Sequence, residues 1–188
     1  MPGSTKAWVV DCETTGLAGY DRIVSFAAVE MLGPEPTGRV SYLLFNPGRP
    51  CHPRAAAVHG WRDDVLRKQE EFTAHAPFIH EILSKADVVC GHNLGFDLGF
   101  LHRELAKVGL SEIRTNPYCT MQAYRNKFPG RKATLDLCLQ DIGGSRAGET
   151  HGALEDAFLA ASLYAWLRFG VIDTFGLNAW PDPFNLRS

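Results

Sequence analysis

The sequence has no apolar run approaching the ~18 residues of a membrane-spanning helix. Its start, Met1-Pro2-Gly3-Ser4-Thr5-Lys6, lacks the apolar stretch of a signal peptide, so no membrane partner is expected. Charge of one sign is also lacking. The formal net charge is −2, and nothing resembles a basic tail that could hold a polyanion unaided. The five cysteines (Cys12, Cys51, Cys90, Cys119 and Cys138) are odd in number and form no Cys-x-x-Cys pair. This argues against a disulfide framework and a zinc ribbon, and a reducing cytoplasm fits it best. Neither Cys90 with His92 nor Cys51 with His52 has the spacing or the further partner that a structural zinc needs. Internal repeats and low-complexity segments are absent too.

What is present suits one globular domain with a real core: 188 residues, 45% hydrophobic and 21% charged. Residues 5–172 are expected to form the domain. Residues 173–188, with Trp180-Pro181-Asp182-Pro183, are expected to be a C-terminal tail. Trp8-Val9-Val10-Asp11 reads as a short buried strand, followed by strands at 22–30 and 40–46. Gly33-Pro34-Glu35-Pro36-Thr37-Gly38 lies between the latter two and predicts an antiparallel hairpin. A helix over 77–85 with Pro77 in its first turn precedes a short strand, Asp87-Val88-Val89-Cys90-Gly91. Phe96, Phe100, Leu101 and Leu105 recur at helical spacing before the stop at Gly109, and a second strong helix runs over 153–168. Strands first, then alternating helices and strands, predict an α/β domain with a mixed sheet packed against helices.

Four acids stand at the ends of these elements. Asp11 and Glu13 are two apart on a strand, so both carboxylates face one way and can converge on one cation. Asp97 opens a helix just after a strand, and Asp156 lies in the first turns of the last helix, five residues after His151. Hard oxygen ligands of this kind suit Mg²⁺ or Mn²⁺, and a pair of such ions is a general device for cleaving phosphodiesters.

The residues that surround the acids resemble a known family. Asp11-Cys12-Glu13-Thr14-Thr15-Gly16-Leu17, Gly91-His92-Asn93-Leu94-Gly95-Phe96-Asp97 and His151-Gly152-Ala153-Leu154-Glu155-Asp156-Ala157 are similar, in order, to the three motifs of the DEDD exonuclease superfamily. The third matches its His-bearing branch, which includes the proofreading subunit of bacterial replicative polymerases. Val58-His59-Gly60 is similar to a further element of that branch. The motifs extend over residues 11 to 157. One departure is Cys12, where many relatives carry Thr; it is expected to point away from the two acids beside it, without loss of activity.

The resemblance implies a ribonuclease-H-like fold, two metal ions held by Asp11, Glu13, Asp97 and Asp156, and His151 as the general base. An ordinary imidazole pKa near ~6.5 suits that last role. The glycines near His151, Gly148 and Gly152, suggest a mobile loop. Thr14, Thr15 and Gly16 are expected to hold the terminal 3′-hydroxyl and phosphate, and Leu17 to wedge against the last base. His92, Asn93 and Phe96 are expected along the same cleft, with Phe96 alternatively a core residue. His59 either faces the terminal nucleotide or serves the loop structurally. Arg125, Lys127, Arg131 and Lys132 form the densest basic patch, which either touches upstream phosphates or is a solvated loop. Tyr20, Phe45 and Trp61 are candidates to stack bases or to pack.

The expected activity is 3′→5′ exonucleolytic hydrolysis of nucleic acid with a free 3′ end, DNA favoured, in proofreading or repair. An exoribonuclease of the same fold and a nonenzymatic nucleic-acid adaptor are the alternatives, and the presence of all the acids counts against the adaptor. Association with a polymerase is possible, but 188 residues leave little room for a long polymerase-binding tail, which favours a free-standing or loosely held enzyme.

Overall fold

A computed structural model describes residues 5–146 and 152–172. The expected tail at 173–188 and His151 both lie outside the described residues. Strands β1 (Lys6–Thr14), β2 (Ile23–Leu32), β3 (Glu35–Leu44), β4 (Val88–Gly91) and β5 (Asn116–Cys119) form one sheet in the order β3-β2-β1-β4-β5. The β1–β2 and β2–β3 pairs are antiparallel, whereas β1–β4 and β4–β5 are parallel. Among the described residues, seven helices accompany the sheet: α1 (Pro53–His59), α2 (Asp63–Leu66), α3 (Phe72–Ser84), α4 (Leu94–Ala106), α5 (Thr120–Lys127), α6 (Leu135–Gln140) and α7 (Ala153–Phe169). The mixed sheet flanked by helices is therefore as expected.

The central strand shows why. Every residue from Ala7 to Val10 is buried, because helices cover both faces of the sheet there. Trp8, Val10 and Cys12 point into a core built with Phe72, Ile79 and Leu83 of α3 and Phe100 and Leu101 of α4. Ala7 and Val9 point the other way, into a core with Ala157, Ala161 and Tyr164 of α7. Gly91 lets β4 come this close to β1, since a Cβ there would stand 2.9 Å from the Val10 carbonyl oxygen.

Several expected boundaries shift, each for a packing reason. The hairpin turn is only Gly33-Pro34, and β3 begins at Glu35 rather than residue 40. Pro36 is tolerated because β3 is an edge strand, where a missing N–H need not break the ladder. Pro77 lies inside α3 instead of in its first turn. Phe72, Ala76, Ile79 and Leu83 form one buried stripe, and their burial carries the helix through the proline. α4 starts two residues earlier than expected, at Leu94, with Asn93 at φ 67° before it. α7 matches its expected start and ends one residue later, at Phe169, capped by Gly170 at φ 73°.

Candidate active site

β1 runs toward one edge of the sheet and delivers Asp11 and Glu13 on the face that α7 covers. Asp156, in the first turn of α7, approaches them from that side. One carboxylate oxygen from each of the three lies within 4.8 Å of the others. Asp97, in the first turn of α4, is outside this triad but next to it. Its Oδ1 accepts a hydrogen bond of 2.9 Å from the Cys12 backbone N–H, and the side chain is buried. The four acids that the motifs single out therefore converge, three as a tight group and the fourth tied to the strand between two of them.

Their electrostatics reflect this crowding. Burial raises the Asp11 carboxyl well above its ordinary range, and Asp97, Asp156 and Glu13 raise it further, while Arg146 opposes them. Burial also pushes Asp97 up to about 8, although the Cys12 N–H holds it down in part and Glu13 and Asp156 add to the rise. An all-oxygen set whose members disfavour one another's charge fits a divalent cation, which would relieve that repulsion. Cys12 points away from Asp11 and Glu13 but not from the whole acid set. Burial and the neighbouring Asp97 raise its thiol pKa well above the ordinary value.

A cleft of about 500 Å³ opens beside the acids. Glu13, Thr14, Gly16, Leu17, His59 and Phe96 all border it. Leu17 is 84% exposed at its rim, which leaves an apolar side chain available to a ligand. His59, at the end of α1, is buried and its Nδ1 accepts from the Trp61 N–H at 3.0 Å. Thr14 Oγ1 donates to the Gly16 carbonyl at 2.8 Å.

Other expected contacts are placed differently. Thr15 is fully buried: its hydroxyl donates to Asp21 at 2.8 Å and accepts from the Arg22 N–H at 3.1 Å. His92 and Asn93 do not line the cleft. The His92 Nε2 donates to the Ala133 carbonyl at 2.9 Å and Nδ1 meets the Thr120 hydroxyl at 3.0 Å, while burial lowers its pKa. Phe45 and Trp61 pack in the interior and cannot stack bases, whereas Tyr20, 71% exposed, borders the cleft. In the basic patch, Arg131 forks onto Asp141 at 2.8 and 2.9 Å.

Sequence reasoning missed two residues. Asp21 holds the motif loop from beneath, accepting from Thr15 Oγ1 and from the Ala18 N–H, each at 2.8 Å. Gly16 is required above it, because a Cβ there would come within 2.5 Å of the carboxylate. Arg146 reaches Asp156 directly. Neither residue has a periodic or spacing signal of its own.

A mixed sheet with carboxylates gathered at the end of its central strand is the arrangement of a phosphodiester-cleaving hydrolase of the ribonuclease H-like class. Residues 8–164 match the family described as Exonuclease, and the chain belongs to that family. It is 33% identical over 185 residues to the DNA polymerase III subunit epsilon of Pasteurella multocida, covering 93% of this chain and 72% of that one. Among solved structures it resembles E. coli ExoI, crystallised as a zinc-bound ssDNA complex, with a TM-score of 0.78 at 16% identity. That match covers 92% of this chain but only 42% of the other. It also resembles exonuclease X in complex with 5′ overhanging duplex DNA, with a TM-score of 0.68 at 24% identity over 86% of this chain and 90% of the other.

Proposed function

We propose that this enzyme removes nucleotides one at a time from the 3′ end of DNA, in proofreading or repair, with two Mg²⁺ or Mn²⁺ ions held by Asp11, Glu13, Asp97 and Asp156. The observation that carries this reading is the convergence of Asp11, Glu13 and Asp156 within 4.8 Å, beside Asp97, with Glu13 bordering the cleft. Bound there, divalent ions supply an activated water and stabilise charge on the attacked phosphate. The chain's own residues do the rest. Leu17 and Phe96 offer apolar contact to the terminal base, and the Thr14–Gly16 turn borders the sugar-phosphate end. His151 accepts the proton of the attacking water, a role supported by its place in the third motif, five residues before Asp156.

DNA is favoured because the named relatives and structural neighbours are DNA polymerase subunits or DNA complexes. The relative named as a DNA polymerase III subunit supports association with a DNA polymerase. A cytoplasmic setting agrees with five free cysteines and with the lack, among the described residues, of any helix long and apolar enough to cross a membrane. Residues 5–172 form the catalytic domain in this reading, and 173–188 a tail.

The deciding assay compares end-labelled single-stranded DNA, mismatched duplex, matched duplex, RNA and circular single-stranded DNA, with and without chelator. Single-stranded and mismatched DNA should be degraded fastest, from a free 3′-hydroxyl only, because drawing paired bases out of a duplex costs energy. Faster digestion of RNA would make the enzyme an exoribonuclease. Cleavage of circles, or activity in excess chelator, would overturn the exonuclease mechanism proposed.

A further inference from the structure

Arg146 is the one cation placed on the carboxylate cluster among the described residues. Its guanidinium is 8% exposed and binds three acids: Nε reaches Asp136 Oδ1 at 3.2 Å, and Nη1 reaches Glu155 Oε2 at 3.5 Å and, in direct contact, Asp156 Oδ1. Asp136 lies on α6, and Glu155 and Asp156 lie on the first turn of α7, so one side chain ties the starts of both helices together. The charge is felt beyond Asp156, since Arg146 is the cation that opposes the carboxylates around Asp11. Arg146 Nη2 is buried and has no hydrogen-bond partner among the described residues. The side chain is therefore strongly held by charge but incompletely satisfied by geometry.

We infer that Arg146 is an internal counter-cation that occupies Asp156 and must yield it to the divalent ion, so that this residue sets the enzyme's metal affinity. The inference rests on the reading of the cluster as a metal site. The guanidinium and the divalent ion compete for the same carboxylate. A carboxylate neutralised by a guanidinium in a poorly solvated setting is a weaker ligand for Mg²⁺ or Mn²⁺, and a fixed positive charge beside the acids repels a second cation. The same contact holds the crowded acids together when no metal is bound, because unopposed they repel one another. Glu155 and Asp136, which already hold the guanidinium, give it a place to remain when Asp156 is released. Arg146 is thus a positioning residue that acts through Asp156.

The test is calorimetric titration of Mn²⁺ into the full chain without nucleic acid, for wild type, Arg146→Met and Arg146→Lys, with melting curves in chelator. Arg146→Met should bind Mn²⁺ at least about tenfold more tightly, the order of effect of removing one close unscreened charge. Arg146→Lys, which keeps the charge but cannot fork, should fall between the two. In chelator the Met variant should melt below wild type, and saturating Mn²⁺ should close the gap. Should the Met variant fail to fold, the Lys titration decides alone. Unchanged or weaker Mn²⁺ binding in the variants, with normal binding by wild type, overturns the inference and leaves the metal reading standing. Failure of wild type to bind Mn²⁺ at all removes the metal reading itself.

Discussion

Replacing Gly16 by Ala places one methyl group where there is no room for it. The new Cβ would stand 2.5 Å from Asp21 Oδ2 and 2.9 Å from its Cγ. The carboxylate must then move, yet it is 8% exposed and accepts two hydrogen bonds of 2.8 Å, from Thr15 Oγ1 and the Ala18 N–H. A hydrogen bond to a charged group contributes roughly 1.5–3 kcal/mol. Weakening both while Arg49, 3.5 Å away, keeps its hold gives a loss of about 3 kcal/mol. For a domain of this size that is a fall in Tm of roughly 6–12 °C. The loop that carries Leu17 shifts with the carboxylate, so KM for a single-stranded substrate should rise as well. Gly19→Ala is the built-in control, because nothing lies within 4 Å of a Cβ at that position. Calorimetry on both variants decides the matter. A Gly16→Ala melt within 1–2 °C of wild type, or an equal fall in Gly19→Ala, would refute the reasoning.

Three further outcomes are expected. Arg22→Met breaks the fork onto Glu104, which is 2% exposed and held at 2.5 and 3.0 Å. With Lys107 still 3.1 Å away as a second partner, the cost should be about 2–3 kcal/mol in denaturant unfolding, and a cost under half of that would contradict the pairing argument. In chelator, stability should fall as pH rises from about 6.5 to about 8. Asp97, pushed up to about 8, keeps its proton in the folded state where the unfolded carboxyl has lost it, so stability falls until the folded group titrates; Asp11, also raised, acts with the same sign, and His92, lowered by burial from 6.5, is already neutral there. A Tm that climbs over that range would show the sign to be wrong. His151→Ala should lower kcat by roughly 10²–10⁴-fold with Mn²⁺ binding unchanged, as general-base catalysis requires, and an unimpaired rate at neutral pH would remove His151 from the chemistry.

The parts of this molecule that were legible in the sequence are those where a local rule and a global one agree. Period-two spacing placed Asp11 and Glu13 together because β1 is regular over that stretch, with its register shift only after Glu13. The long helix α7 announced itself by length and by Gly170, and the hairpin by its Gly-Pro turn. Short elements were hidden. α5 and α6 span eight and six residues and bury few side chains each, and β5 carries Pro117 at a sheet edge. Side-chain destinations were harder still. Thr15 and His92 stand within motifs beside true cleft residues, yet their hydrogen bonds go to Asp21 and to Thr120 and Ala133, partners fixed only by tertiary packing. Arg146 is invisible for the same reason: ten residues separate it from Asp156, with no periodic relation between them.

The acids reach the site from both sides of the sheet. Asp156 arrives with the helix that covers one face, Asp97 with a helix that covers the other, and the central strand supplies the remaining two between them. Ions gripped by all four would act as a rivet through three layers. Amide exchange in the first turns of α4 and α7 should then slow together when metal is added, even though the two helices share no face of the sheet. On this reading the metal site would also be a clasp, and the ions bound for reaction would draw the two helical layers onto the strand between them.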